Sequence, residues 1–377
     1  MNTSRLMQGL ALFLAFTAAA RAQTVDSGST GSLGALVVTN DTFVQLPPDG
    51  KLNYTTVTVE AGATLRFGKN PLNTPVYLLA TSDVVIRGVI DVSGSYGGNN
   101  LGQGGPGGFN GGAPGISSDP GDGEGPGGGQ GGVWGTDKYP GNGSHGSTGV
   151  RSLGPKYGNR ELQPLIGGSG GGGQGASGGS GGGGAILIAS NTKIEVSGGG
   201  IWAIGGQSFD WAGNRGGGGA GGAVRLVAPA IGGAGGSSEV NCSGALHAGT
   251  GRIRIDGTYL GGISFNGLAQ VGQNFVVIPA AQPSLRFIEA AGQAIPVDAG
   301  NTIRLNLSRT ASTNQTVKLR LAGFTGFVPV TVAVLPEEAA SSRVVTEINM
   351  AGNATAETTV NVTLTPGMVN RIQAWTQ

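Results

Sequence analysis

Val89-Ile90-Asp91-Val92-Ser93-Gly94 alternates apolar and polar residues and closes on glycine, the pattern of a short, half-buried strand running into a turn. The same apolar-x-apolar-x-Gly rhythm returns at Ile201-Trp202-Ala203-Ile204-Gly205 and at Val240-Asn241-Cys242-Ser243-Gly244. If each recurrence is one coil of a repeating scaffold, equivalent residues stack along its axis. Ile90, Ile201 and Val240 then form one inner column and Val92, Ala203 and Cys242 the next, because alternate residues of a strand face one side. Gly251-Arg252-Ile253-Arg254-Ile255-Asp256 reads as a further coil with Ile253 and Ile255 turned inward.

On the N-terminal side, short strands are predicted at Thr56-Val57-Thr58-Val59-Glu60, Thr64-Leu65-Arg66-Phe67, Val76 to Ala80 and Val84-Val85-Ile86. No helix-period segment separates them, so the chain reads as all-β. Three cassettes, Tyr77-Leu78-Leu79-Ala80, Ala185-Ile186-Leu187-Ile188-Ala189 and Ala223-Val224-Arg225-Leu226-Val227-Ala228, border or interrupt a tract in which glycine is the dominant residue. The 77 glycines are about three times the usual share, and 11% charged residues less than half of it. Two readings of the tract stand side by side. Glycine-rich insertions, at about 97–183 and 206–222, are either flexible loops, since glycine offers nothing to bury, or extended polyproline-II-like segments that pack closely, with which the near-three period of Gly104-Gly105-Pro106-Gly107-Gly108-Phe109 is compatible.

The run Thr56-Val57-Thr58-Val59-Glu60-Ala61-Gly62-Ala63-Thr64-Leu65, followed by Val89 to Gly94, the Gly-Gly-Ala-Ile-Leu-Ile-Ala cassette and Gly251 to Ile255, resembles a set of uncharacterised glycine-rich secreted bacterial proteins. More distantly it is similar to the pectate-lyase-like right-handed parallel β-helix. The resemblance covers roughly residues 50 to 265 and implies that fold; it rests on rhythm and implies no activity.

Domain organisation follows composition. Residues 1–22 read as a signal peptide, with Arg5 before an apolar run from Leu6 and a small-x-small site at Ala20-Arg21-Ala22, so export is expected. Residues 23–50 read as a polar leader with a short strand around Ala35 to Val38, and 51–281 as the coil domain. Residues 282–377, glycine-poor and rich in Val, Thr and Leu, carry seven candidate strands: Ser284 to Ile288, Thr302 to Leu307, Thr316 to Leu321, Val328 to Val334, Arg343 to Ile348, Thr358 to Leu364 and Arg371 to Trp375. That spacing predicts a small immunoglobulin-like β-sandwich. Cys242 is the single cysteine, so no disulfide staples the chain to itself.

A formal net charge of +1 offers no field for nucleic acid or an anionic membrane. His145 and His247 are the only histidines and show no zinc-ligand spacing, so no metal or other cofactor is expected. The G-x-S-x-G matches around Ser169 and Ser180 lie in glycine tracts with no strand-turn-helix context. The outward column Asp91, Trp202, Asn241 lacks the paired carboxylates that polysaccharide cleavage needs, and Asp83, Glu195, Glu239 and Asp256 read as solvated residues. Asp119, Asp122 and Glu124 read as a solvated turn. Among the aromatics Phe109, Trp134, Tyr139, Tyr157, Phe209 and Trp211, a ligand-binding set is expected in Trp134, Tyr139, Phe209 and Trp211, suited to sugar rings. The expectation is a secreted or cell-surface structural or adhesive protein that binds extracellular polysaccharide, without catalytic residues. A polysaccharide lyase or glycoside hydrolase on the same scaffold is the alternative.

Overall fold

The computed structural model describes residues 24–115, 119–133, 135–208, 210–211, 214–280, 282–296 and 303–376. Among them every regular element is a strand. The signal-peptide expectation lies outside the described residues.

The N-terminal two-thirds consist of short strands paired in parallel with the equivalent strand further along the chain, in a ten-stranded and a six-stranded sheet. Leu36–Val38, in the stretch read as a leader, pairs with Val57–Val59, and Thr42–Gln45 pairs with Thr64–Gly68. The strand expected around Ala35 to Val38 is therefore present, and Thr42–Gln45 adds a second strand in the same stretch. Three inner columns follow from the registers. Val38, Val59, Ile86 and Val196 stand in one. Leu65, Ile90, Ile201, Val240 and Phe265 stand in the second. Leu52, Leu78, Ile188, Leu226 and Ile255 stand in the third. All but Phe265, which is partly buried, are buried residues of one continuous apolar core. Fully burying each such side chain is worth about 1.5–3 kcal/mol. The column predicted for Ile90, Ile201 and Val240 is thus in register, and Val92, Ala203 and Cys242 are buried in the same core.

The Ala185–Ser190 strand is buried along its whole length, which explains why its cassette does not alternate. Ile186 and Ile188 face the inner core, while Ala185, Leu187 and Ala189 face a second cluster made by Val25, Leu162, Leu165 and Val277.

The described residues of the glycine-rich insertions are ordered. Hydrogen bonds link them at three-residue steps: Gly102 and Gly105 donate to Gly179 and Gly182, Phe109 and Gly112 to Gly168 and Gly171, Gly129 and Gly132 to Gly170 and Gly173. Three residues per turn is the step of a polyproline II helix, whose backbone groups all point outward and free. Successive residues of one such segment therefore face different neighbours. A Cβ on Gly170 would lie 2.0 Å from the Asn110 carbonyl oxygen, on Gly171 2.2 Å from that of Gly217, on Gly172 1.8 Å from that of Gln130 and on Gly173 2.2 Å from that of Ala113. A segment surrounded on all sides must be glycine at every position, which is why Gly170 to Gly173 and Gly181 to Gly184 are unbroken runs. Outer segments keep a side chain at one position in three. None of these glycines has a left-handed φ, so close approach, not turn geometry, requires them.

Residues from Pro283 on form two antiparallel sheets around their own core. One has strands Gln293–Ala294, Ser284–Ala290, Asn314–Ala322 and Thr355–Thr363; the other has Ser342–Asn349, Phe327–Pro336 and Asn370–Thr376. Val317, Leu319, Leu321, Val330, Val332 and Val360 fill the space between them. Six of the seven predicted strands are present. Residues 303–307 are not a strand, because Leu305 alone packs on the core while Ile303 and Leu307 stay exposed; Thr302 lies outside the described residues.

Candidate functional site

The outward face of the second stack places Arg66, Asp91, Trp202, Asn241 and Asn266 side by side. Asp91 is paired with Arg66 at 3.3 Å, and the Trp202 indole donates to Glu239 at 2.8 Å. The acids of this face answer neighbours on the same face, and the column holds one carboxylate.

Asp256 is not solvated. It is fully buried beside the fully buried Arg225, whose Nε and Nη2 donate to one carboxylate oxygen at 3.1 and 3.0 Å. Arg254 donates to the other oxygen at 2.9 Å, as does the Asn274 backbone at 2.9 Å. Glu161 completes the set at 3.1 Å from Arg254. The sequence reading failed here because segments 161–165 and 274–278 cover the outside of the third stack, and strand alternation cannot reveal a cover supplied from elsewhere. A buried pair with every oxygen occupied is a device for holding segments in register.

Asp122 and Glu124 are buried as well, which corrects the solvated-turn reading; Asp119 is exposed. They dock the C-terminal sheets onto the glycine bundle. Glu124 accepts from Arg371 at 2.9 Å and from Gln373 at 3.2 Å, and Asp122 accepts from the backbone of Ser341 at 2.8 Å and of Gly131. Beside this joint lies a cleft of about 350 Å³ with Lys69, Phe109, Asn110 and Trp375 in its wall. Burial pushes Lys69 down to about 8, and its ammonium donates to Gly108 at 2.9 Å and to the Asn110 side chain at 3.3 Å. Asn70, Asn73 and Gln373 in the same wall spend their amides on backbone and neighbouring side chains. With its polar groups so engaged, the cleft is a structural joint.

Ser169 and Ser180 are buried links. Ser169 accepts from Gly127 at 3.0 Å and donates to the Tyr157 hydroxyl at 2.9 Å, while Ser180 accepts from Gly97 and donates to Gln207. His145 is fully buried against Tyr157, its Nδ1 donating to the Gly221 carbonyl at 2.8 Å. Burial pushes it down to about 4, so its Nε2 carries a lone pair, and that atom is buried without a partner among the described residues.

Of the four predicted aromatics, Tyr139 alone is fully described, on a loop tied to one end of the glycine bundle. Gly115 donates to Gly175, Gly132 bridges Gln174, Gly178 donates to Gly98, and the Arg215 backbone donates to the Gln174 side chain at 3.4 Å. The backbone around Gly98, Gly115, Gly132, Gln174 and Arg215 is thereby drawn together. Tyr139 is exposed there, with the Arg151 guanidinium 5.1 Å from its ring centre. Trp211 lies in a two-stranded hairpin, Asp210–Trp211 with Asn214–Arg215, but its side chain, like Trp134 and Phe209 entirely, is outside the described residues. Among the described residues no group of three or more His, Cys, Asp or Glu is placed to hold a metal. No protein family, curated protein or solved structure matches the chain.

Proposed function

We propose that this is a secreted or cell-surface adhesive protein, a right-handed parallel β-helix whose glycine-rich insertions hold out a polysaccharide-binding loop cluster, followed by an immunoglobulin-like sandwich. The observation that carries the reading is the hydrogen-bonded glycine bundle: loops mounted on a rigid scaffold are the usual arrangement for recognition. Those loops contain Trp134, Tyr139, Phe209 and Trp211, and aromatic faces stack well on sugar rings. The C-terminal sheets, locked to the bundle through Asp122 and Glu124, brace it from the other side. For the alternative, a lyase or glycoside hydrolase, the outward column offers Asp91 without a second carboxylate.

A glycan array run on residues 23–377, with reducing-sugar and unsaturated-product assays in parallel, tests this. Retention of a polysaccharide is expected, weakened about tenfold or more when Tyr139 and Trp211 are both changed to Ala. Binding unchanged in that variant, or turnover of any substrate, would sink it.

A further inference from the structure

We propose that the cleft between segment 156–160 and the last paired strand of the third stack, Leu268–Gly272, binds a tetrahedral oxyanion, a sulfate or phosphate ester. That the ester is carried on a sugar rests on the polysaccharide reading above; that the cleft takes an oxyanion does not. The cleft measures about 600 Å³ and is lined by Lys156, Arg160, Arg252 and Gln270, together with the backbone of Gly146 and Gly158.

Charge balance on this face isolates the site. Outward-pointing residues of the third stack put Arg225, Arg252, Arg254 and Asp256 close together, since Arg225 pairs in register with Arg254 and Val227 with Asp256. Asp256 and Glu161 answer Arg225 and Arg254 completely. The cations left over are Lys156, Arg160 and Arg252, and all line the cleft, which has no carboxylate in its wall. The Arg252 guanidinium makes a single hydrogen bond among the described residues, from Nε to the Tyr157 carbonyl at 3.3 Å. Neither Lys156 nor Arg160 has an acidic partner within 4.0 Å among the described residues. Like charges brought together without a counter-charge cost free energy that an anion would recover.

The cations are also held in place. Tyr157, next to Lys156, anchors its hydroxyl on the Gly167 carbonyl at 2.7 Å, and Leu162 and Leu165 are buried in the outer core just after Arg160. Asn159 closes the turn between them by accepting from Gln163 at 3.1 Å. Beneath the floor lies the unpartnered His145 Nε2: a side chain begun on Gly158 would meet it at 3.3 Å and Arg252 Nε at 3.6 Å. Gly158 has a left-handed φ of 73°, which favours glycine, and the missing side chain leaves the floor open above a buried polar atom that no described residue satisfies. Three cationic donors from two segments suit an anion with three terminal oxygens better than a planar carboxylate with two.

The test is equilibrium binding to the full chain, at low and high salt, of a sulfated trisaccharide, a phosphorylated trisaccharide, the neutral trisaccharide, trigalacturonate and inorganic sulfate. Lys156→Gln and Arg160→Gln are the variants, because both side chains are exposed and can change without loss of the fold. One or both esters should bind at least tenfold more tightly than the neutral sugar, lose that margin in the double variant, and weaken as salt rises. Inorganic sulfate binding as tightly as the esters, and lost in the same variant, would keep the anion site and remove the sugar. Esters bound equally by wild type and double variant, or trigalacturonate bound as tightly as the esters, would overturn the proposal.

Discussion

Replacing Gly182 by Ala should unfold the glycine bundle, whereas the same replacement at Gly98, in the same insertion, should be harmless. A Cβ on Gly182 would lie 1.9 Å from the Gly168 carbonyl oxygen and 2.3 Å from its carbon, where real Cβ contacts do not fall below 3.0 Å, so the two segments must part by more than 1 Å. That opening strains the bonds from Gly182 to Phe109, from Gly105 to Gly182 and from Gly168 to Gly183, made at 2.8, 3.0 and 2.8 Å. At about 1 kcal/mol for each of the three bonds lost, with about 1–3 kcal/mol for overpacking, the variant should lose roughly 4–6 kcal/mol. Melting should fall by roughly 10 °C. A Cβ on Gly98 meets nothing within 4 Å and its φ is not left-handed, so Ala there should raise stability by about 0.4–1 kcal/mol through the unfolded chain. Thermal unfolding followed by circular dichroism compares them. Similar melting temperatures for the two variants would mean that the insertions are loose and that glycine is present for flexibility.

Two further outcomes follow from buried groups. Cys242 is fully buried and burial pushes its thiol well up, so a thiol reagent should modify it only after unfolding, Val should replace it at modest cost, and Asp should abolish soluble protein; rapid labelling of the folded chain would place it outside the core. His145, held near 4 by burial against 6.5 when free, takes its proton in the unfolded chain first as pH falls. Its contribution is therefore whole above about pH 6.5, declines by about 1.4 kcal/mol per unit, and is gone below about pH 4, roughly 3 kcal/mol in all. Denaturant titrations at pH 7, 5.5 and 4 should show that His145→Phe flattens this dependence, and parallel curves would refute it.

What the sequence revealed depended on what each contact is made of. The stacked columns were legible because side chains carry them: Ile90, Ile201 and Val240 announce by hydrophobicity which way they face. Contacts between glycines leave no such mark, since Gly182 against Gly168 differs in no letter from Gly98 against solvent. Only the unbroken runs hinted at the interior of the bundle. Buried charge was misread for a related reason. Asp122, Glu124 and Asp256 look like surface residues until Arg371, Ser341, Arg225 and Asn274 arrive from positions distant along the chain. The cations of the proposed anion site had one visible signal, the strict alternation that turns Arg252 and Arg254 outward together. The sequence could not say that Asp256 and Glu161 leave Arg252 unanswered.

The two kinds of packing meet where the stacked parallel strands give way to the glycine-rich segments. Gly184 donates to the carbonyl of Val92, Gly222 to that of Ala203 and Gly251 to that of Cys242, each at 2.7 Å. The acceptors are the stacked column, so three successive runs of paired strands are interrupted at the same place and each interruption is closed across its mouth by the same bond. An excursion pinned in this way adds little closure cost as it lengthens, because that cost grows only with the logarithm of loop size. The interruptions can therefore differ as widely as residues 93–183, 204–221 and 243–250 without disturbing the register of Ile90, Ile201 and Val240. Because the mouths align, the excursions leave side by side, and segments side by side with no side chains between them are placed to hydrogen-bond. The stacked parallel strands thus set the spacing from which the glycine bundle grows, and the bundle's rigidity is inherited from the apolar columns beneath it.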